Sequence, residues 1–231
     1  MFEEQGYVYG YSYSNFIAQV YSWMCVALAV TAATAWYVAA MPTFVNRIVE
    51  QPWLLVLIFI GQLGLVIALS SFLERMSFIW AIVLFLVYAV SLGITMSLIL
   101  RMYTLASIGS TFLVTSGMFG GMALYGYFTR ADLTKVQNIS IMILWGMILS
   151  MLVNLFLKSI WFDYMISMVG VVIFALLTAA DTQKLKTFAQ RFGQHEEQKD
   201  KVAIIGALML YLDFINLFLF LLRFTGNRRE Q

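Results

Sequence analysis

Two acids in lipid-like surroundings carry whatever chemistry this chain performs. Asp213 stands in the middle of ALMLYLDFINLFLFLLR (207–223), and Asp181 stands at the end of another long apolar run, just before the chain turns polar at TQKLK. An ionised Asp at a bilayer centre costs roughly 2.5 to 3.5 kcal/mol on insertion scales, so such residues face a bundle interior and take a partner. The two acids fall on consecutive apolar segments joined by one loop, which run antiparallel. With one span ending near Leu185 and the next beginning near Gly206, the acids lie about 6 Å and 10 Å from their helix ends at a rise of about 1.5 Å per residue. They can therefore face each other. Two carboxyls in one low-dielectric pocket do not both ionise; they share a proton, and the pair is a candidate pH sensor. Once fully deprotonated, the pair offers the hard oxygen ligands that calcium prefers. Asn216, one turn beyond Asp213, is spaced to add a carbonyl or to orient the acid. A purely structural reading stands beside this one: polar residues also serve as hydrogen-bonding glue between membrane helices.

The elements that must position these acids follow from composition. With 62% hydrophobic and 11% charged residues and a mean hydropathy of +0.86, the chain reads as a polytopic, all-α membrane protein. Its 231 residues leave room for seven spans of about 20 residues each. The spacing predicts an N-terminal tail over 1–17, a seven-helix transmembrane domain over 18–224 and a short tail over 225–231. The N-terminal tail (YVYGYSYSNF) has no Lys or Arg, hence no basic signal-peptide head, and its tyrosines suit a headgroup belt. Spans are expected at about 18–40, 52–72, 78–100, 108–128, 139–157, 162–185 and 206–224. Pro42, Asn46, Arg47 and Glu50 mark the first loop; Glu74 and Arg75 form a tight turn; 182–201 is the longest polar loop.

Within the spans, Gly61 and Gly64 are expected to permit close helix approach, and Gln62 to need an interhelical hydrogen bond. The Gly117 to Gly121 spacing is a GxxxG packing motif. Asp132 is placed to cap the following helix. Asn154 is expected to be buried near its span end, Cys25 to be a packed small hydrophobe, and His195 to be a solvated loop residue.

Placing alternate loops on opposite sides puts eight of the 14 Lys and Arg with the N-terminus, five of them in 182–201, against six on the other side. The positive-inside rule then places the N-terminus in the cytoplasm and, with seven spans, the C-terminus outside. A net charge of +2 gives no case for nucleic-acid binding. An intramembrane aspartyl protease is disfavoured, because the acids follow Ala180 and Leu212 rather than the motifs of that class. Serine and zinc intramembrane proteases need a histidine at membrane depth, and a retinal protein needs a lysine in the last span. Neither is present, so no enzyme activity is expected.

The pairing of TAADTQKLK (178–186) with LYLDFINLFLFLLR (210–223), together with GMFGGMALYGYFTRADL (117–133), resembles the Bax inhibitor-1 family, and within it the bacterial inner-membrane branch. The resemblance extends over essentially the whole chain and is most specific in the last two spans. It implies seven helices with the C-terminal helix enclosed by the other six, and a pH-sensitive calcium leak gated by a di-aspartyl pair. Asp181 and Asp213 match that pair. It also implies calcium as a permeant or transiently bound ion, with no other cofactor. The family includes modulators of cell death in eukaryotes and a bacterial member that inhibits, and is degraded by, the membrane protease FtsH, which makes that protease an implied partner. Two departures stand out. Ala180 replaces a frequent Tyr, and the arginine that latches the first acid in relatives has only Arg75 as its nearest counterpart. A proton-coupled carrier and a non-enzymatic protease modulator remain alternatives to the leak.

Overall fold

The computed structural model describes residues 2–72, 75–192 and 196–229. In chain order the helices are α1 (Phe2–Ala39), α2 (Pro42–Glu50), α3 (Pro52–Phe72), α4 (Phe78–Met102), α5 (Leu105–Phe128), α6 (Thr134–Leu157), α7 (Ile160–Phe192) and α8 (Glu196–Thr225). All but α2 are long and apolar enough to cross a bilayer, which gives the seven expected spans. Helices dominate because in lipid every backbone N–H and C=O must be satisfied within its own segment.

Three boundaries differ from the sequence reading. The predicted N-terminal tail is helical from Phe2 and continues into the first span, whose apolar part is Ser14–Ala39. The first loop is a short helix, α2, begun by Pro42 and burying Val45 and Ile48 on one face; a proline in the first helical turn forfeits no internal hydrogen bond. The described residues of the polar stretch 182–201 are helical, to Phe192 in α7 and from Glu196 in α8. Its Lys, Gln, Glu and Ala are strong helix formers, so charge density marked the end of the apolar run and not the end of the helix. His195 and Glu74 lie outside the described residues.

The helices form two compact units. In the first, Met1–Met102 with Phe188–Leu208, the main contact is α1 on α4. There Thr31 Oγ1 donates to Ala89 O at 3.0 Å, and a side chain at Gly93 would collide with Thr34 and the Thr31 carbonyl. Gln62 Nε2 donates to Thr95 Oγ1 at 3.0 Å, the interhelical bond its position demanded. Gly61 and Gly64, by contrast, have nothing within 4 Å of where a Cβ would stand, so they are not contact glycines. Cys25 is exposed on α1 and not packed. Gln19 Nε2 donates to Asp200 Oδ1 at 2.8 Å, tying α1 to the start of α8.

The second unit, Tyr103–Thr187 with Met209–Glu230, contains both acids. The GxxxG glycines Gly117 and Gly121 meet nothing within 4 Å, whereas Gly126, farther along α5, lies directly against the Ala179 backbone of α7. A helix can approach another this closely only where a side chain is absent. Along the same face of α5, Phe112 and Phe119 meet Phe214 of α8 edge to face, with ring centroids 5.6 Å and 5.4 Å apart. Asn154 is half-buried, and its Oδ1 accepts the Ser159 N–H in the turn after α6. Asp132 Oδ1 accepts the Thr134 N–H at 2.9 Å, so it does serve the start of α6, from one residue ahead of the cap position. Hydrogen bonds from Thr134 hold its carboxyl below the usual carboxylate range.

Burial singles out α8. In its span, 72% of the most apolar window is buried, against 11–39% in the other six. Beyond its charged first turns, α8 is apolar on nearly every side, the pattern of a helix with more than one face buried.

Candidate functional site: a buried carboxyl pair

Asp181 of α7 and Asp213 of α8 are only 8% and 5% exposed, and each carboxyl is within hydrogen-bonding reach of the other. Their meeting does not depend on the helix ends assumed from sequence. Asp181 lies eleven residues before the end of α7 and Asp213 seventeen residues after the start of α8. What sets the register is local. Gly126 lets α5 reach the α7 backbone at Ala179, two residues before Asp181, and Phe214, next to Asp213, is held between Phe112 and Phe119. Leu133, Ala179 and Ala180 form a buried apolar cluster beside the first acid, with Met122 and Val136 packed on it.

The polar partners come from α6 and from α7 itself. Gln137 Nε2 donates to Asp181 Oδ1 at 2.6 Å. The Lys184 ammonium, one turn farther along α7, acts on Asp181 coulombically. Gln183 clamps the connection between α5 and α6 in two places, accepting the Leu133 N–H at 2.9 Å and donating to Ala131 O at 2.7 Å. That clamp fixes the start of α6 and so the reach of Gln137. Two buried polar atoms have no hydrogen-bond partner among the described residues: Asp213 Oδ2 and Thr182 Oγ1. An orphaned buried carboxyl oxygen is costly when charged.

The other residues singled out from sequence lie elsewhere. Asn216 spends its amide on its own helix, Nδ2 donating to Leu212 O at 2.8 Å, and is not joined to Asp213. Arg75 is exposed in the turn after α3 and makes no ion pair among the described residues. The donor that sequence reasoning missed is Gln137. Its signal was modest: an amide in the first turn of a span, where interfacial polar residues are ordinary.

As a metal site the pair is incomplete. Two carboxyls bring at most four oxygens, whereas a resident calcium ion takes about six to eight. No cluster of three His, Cys, Asp or Glu side chains occurs among the described residues. The chemistry on offer is proton sharing and passing contact with a hydrated cation.

Seven apolar spans, two of which carry a buried pair of carboxyls, define a class of polytopic membrane protein with an internal acidic site. The sequence model of the family described as "Inhibitor of apoptosis-promoting Bax1" matches residues 13–230. The chain is 46% identical over 216 residues to the inner membrane protein YbhL of Escherichia coli, covering 93% of this chain and 92% of that protein. It is 41% identical over 217 residues to an uncharacterized protein of Borreliella burgdorferi, with 94% of each chain covered. An uncharacterized protein of Rickettsia prowazekii is 39% identical over 216 residues, 94% of this chain and 91% of that one. The chain belongs to the Bax inhibitor-1 family.

Proposed function

We propose that the protein is a pH-sensitive calcium leak of a bacterial inner membrane, gated by the proton that Asp181 and Asp213 share. The location draws support from the seven spans and from the printed name of the Escherichia coli relative. The charge count supports an orientation with the N-terminus and the 182–201 segment in the cytoplasm and the C-terminus outside. The observation that carries the gating is the juxtaposition of two buried carboxyls with one oxygen, Asp213 Oδ2, unpartnered. With its shared proton the pair is a singly charged, hydrogen-bonded latch between α7 and α8. Loss of the last proton leaves two like charges in contact, and only a cation or a separation of the helices relieves them. Gln137 and Lys184 set how much charge Asp181 tolerates while the latch is closed.

The test is calcium entry into protein-loaded liposomes across a pH series, with no counter-substrate present. Asp181→Asn and Asp213→Asn are each expected to abolish the pH dependence of flux. The double variant is expected to match either single one, because residues acting as a unit are non-additive. Single variants that keep wild-type flux and pH profile would reduce the pair to structural glue.

A further inference from the structure

A second polar site lies at the far end of the same unit, where α6 ends, α7 begins and α8 ends. A cavity of about 810 Å³ opens there. Its lining includes three cations, Lys158, Arg223 and Arg228, against a single acid, Asp163. Arg223 Nη1 is paired with Asp163 Oδ1 at 3.4 Å, so the lining holds two positive charges in excess.

Each cation is held by local structure. Lys158 adopts the left-handed conformation that ends α6 (φ 50°), and its N–H caps Asn154 O at 2.8 Å. Arg228 lies beyond α8, in a tail that is tied down at several points. Gly226 N–H caps Leu222 O at 2.8 Å, Asn227 O accepts the Thr104 N–H at 3.2 Å, Asn227 N–H donates to Ser107 Oγ at 2.9 Å, and Arg228 bridges to Tyr103. The turn requires a glycine, since a Cβ at 226 would stand 2.8 Å from the Tyr103 ring. Those two caps occupy helix-end carbonyls that would otherwise repel an anion.

We infer that this cavity binds the phosphodiester headgroup of an anionic phospholipid in the leaflet on this face. The charge excess and the cluster of side-chain donors suit a phosphate group. The surroundings suit its acyl chains: Ile160 of the lining is 79% exposed, and Phe156 and Trp161, beside lining residues at the ends of α6 and α7, are each 84% exposed. The volume falls within the range of ordinary ligand sites, roughly 300 to 1,000 Å³. A free phosphate ion would satisfy the cations and leave that apolar surface unused.

The experiment uses the purified full chain in neutral detergent, titrated separately with phosphatidylglycerol, phosphatidylcholine and inorganic phosphate, with bound lipid counted by native mass spectrometry. Saturable binding of phosphatidylglycerol is expected, about tenfold tighter than phosphatidylcholine. Arg228→Gln and Lys158→Asn should each weaken it roughly fivefold, the worth of one basic residue beside an anionic lipid surface. Asparagine tolerates the left-handed conformation at 158, and both positions are exposed, so the fold is preserved. Arg47→Gln, an exposed cation on α2, should leave binding unchanged. Three results would overturn the site: equal affinity for the two lipids, equal weakening by Arg47→Gln, or wild-type binding by both cavity variants. Displacement of phosphatidylglycerol by an equal concentration of inorganic phosphate would overturn the lipid as its occupant.

Discussion

Gln137 shows how a single amide can govern a buried acid. Its bond to Asp181 joins α6 to the carboxyl pair, which would otherwise rest on α7 and α8 alone. Gln137→Leu keeps the bulk and removes the donor, leaving a buried acceptor unsatisfied. The expected cost is about 1 to 3 kcal/mol, read as a lower melting temperature of the detergent-purified protein. The midpoint of the pH–flux curve should also move, whereas a merely structural defect lowers flux at every pH alike. The two acids were legible in the sequence because a charge inside an apolar run has no ordinary explanation. Gln137 was not, because an amide at the start of a span has several. Asn216 misled for a related reason: helical spacing places a side chain near its neighbour, but its amide had a competing acceptor in the Leu212 carbonyl, four residues back on its own helix.

Among the elements, packing partners proved harder to read than spans. All seven spans follow from apolar length, and length is what a bilayer demands. Which glycines make contacts depends on which face of a helix meets a neighbour, and a pattern of two small residues four apart does not say. Gly117→Ala should therefore change stability by no more than about 0.5 kcal/mol. Gly126→Ala must push α5 off the Ala179 backbone, an overpacking cost of about 1 to 3 kcal/mol, and should disturb the pH profile because Asp181 lies two residues along. Thermal melts of the two variants side by side make the comparison; equal melting temperatures would remove Gly126 from the register of the site. The polar stretch 182–201 resists reading as helix because a solvated helix and a solvated loop have similar composition, although α7 runs to Phe192 and α8 starts at Glu196.

For the molecule as a whole, the orientation is the statement with the widest consequences. In the proposed orientation the connection of α7 to α8 lies in the cytoplasm and the cationic cavity at the end of α8 on the outer face. A reporter inserted between Phe192 and Glu196 should signal the cytoplasm, and one fused after Gln231 the outside. The reverse pattern would invert the direction of the proposed leak while leaving the internal site intact. The family was legible from the same residues that carry the chemistry, because the segments around Asp181 and Asp213 are long and specific. The tied-down tail was not, since its pairing with Tyr103 joins residues more than a hundred positions apart and depends on backbone groups that every sequence possesses.

That tail also bears on how the protein is made. Residues 226–228 leave the ribosome after every segment they fasten, so the clasp on Tyr103, Thr104 and Ser107 can close only when α8 has already entered the membrane. Asp181 is made first and has Gln137 as company; Asp213 arrives later, on the span with the largest buried share. A chain halted before α8 therefore presents the membrane with an acid awaiting its partner, the kind of exposed polar defect by which quality-control machinery can distinguish an unfinished bundle from a completed one.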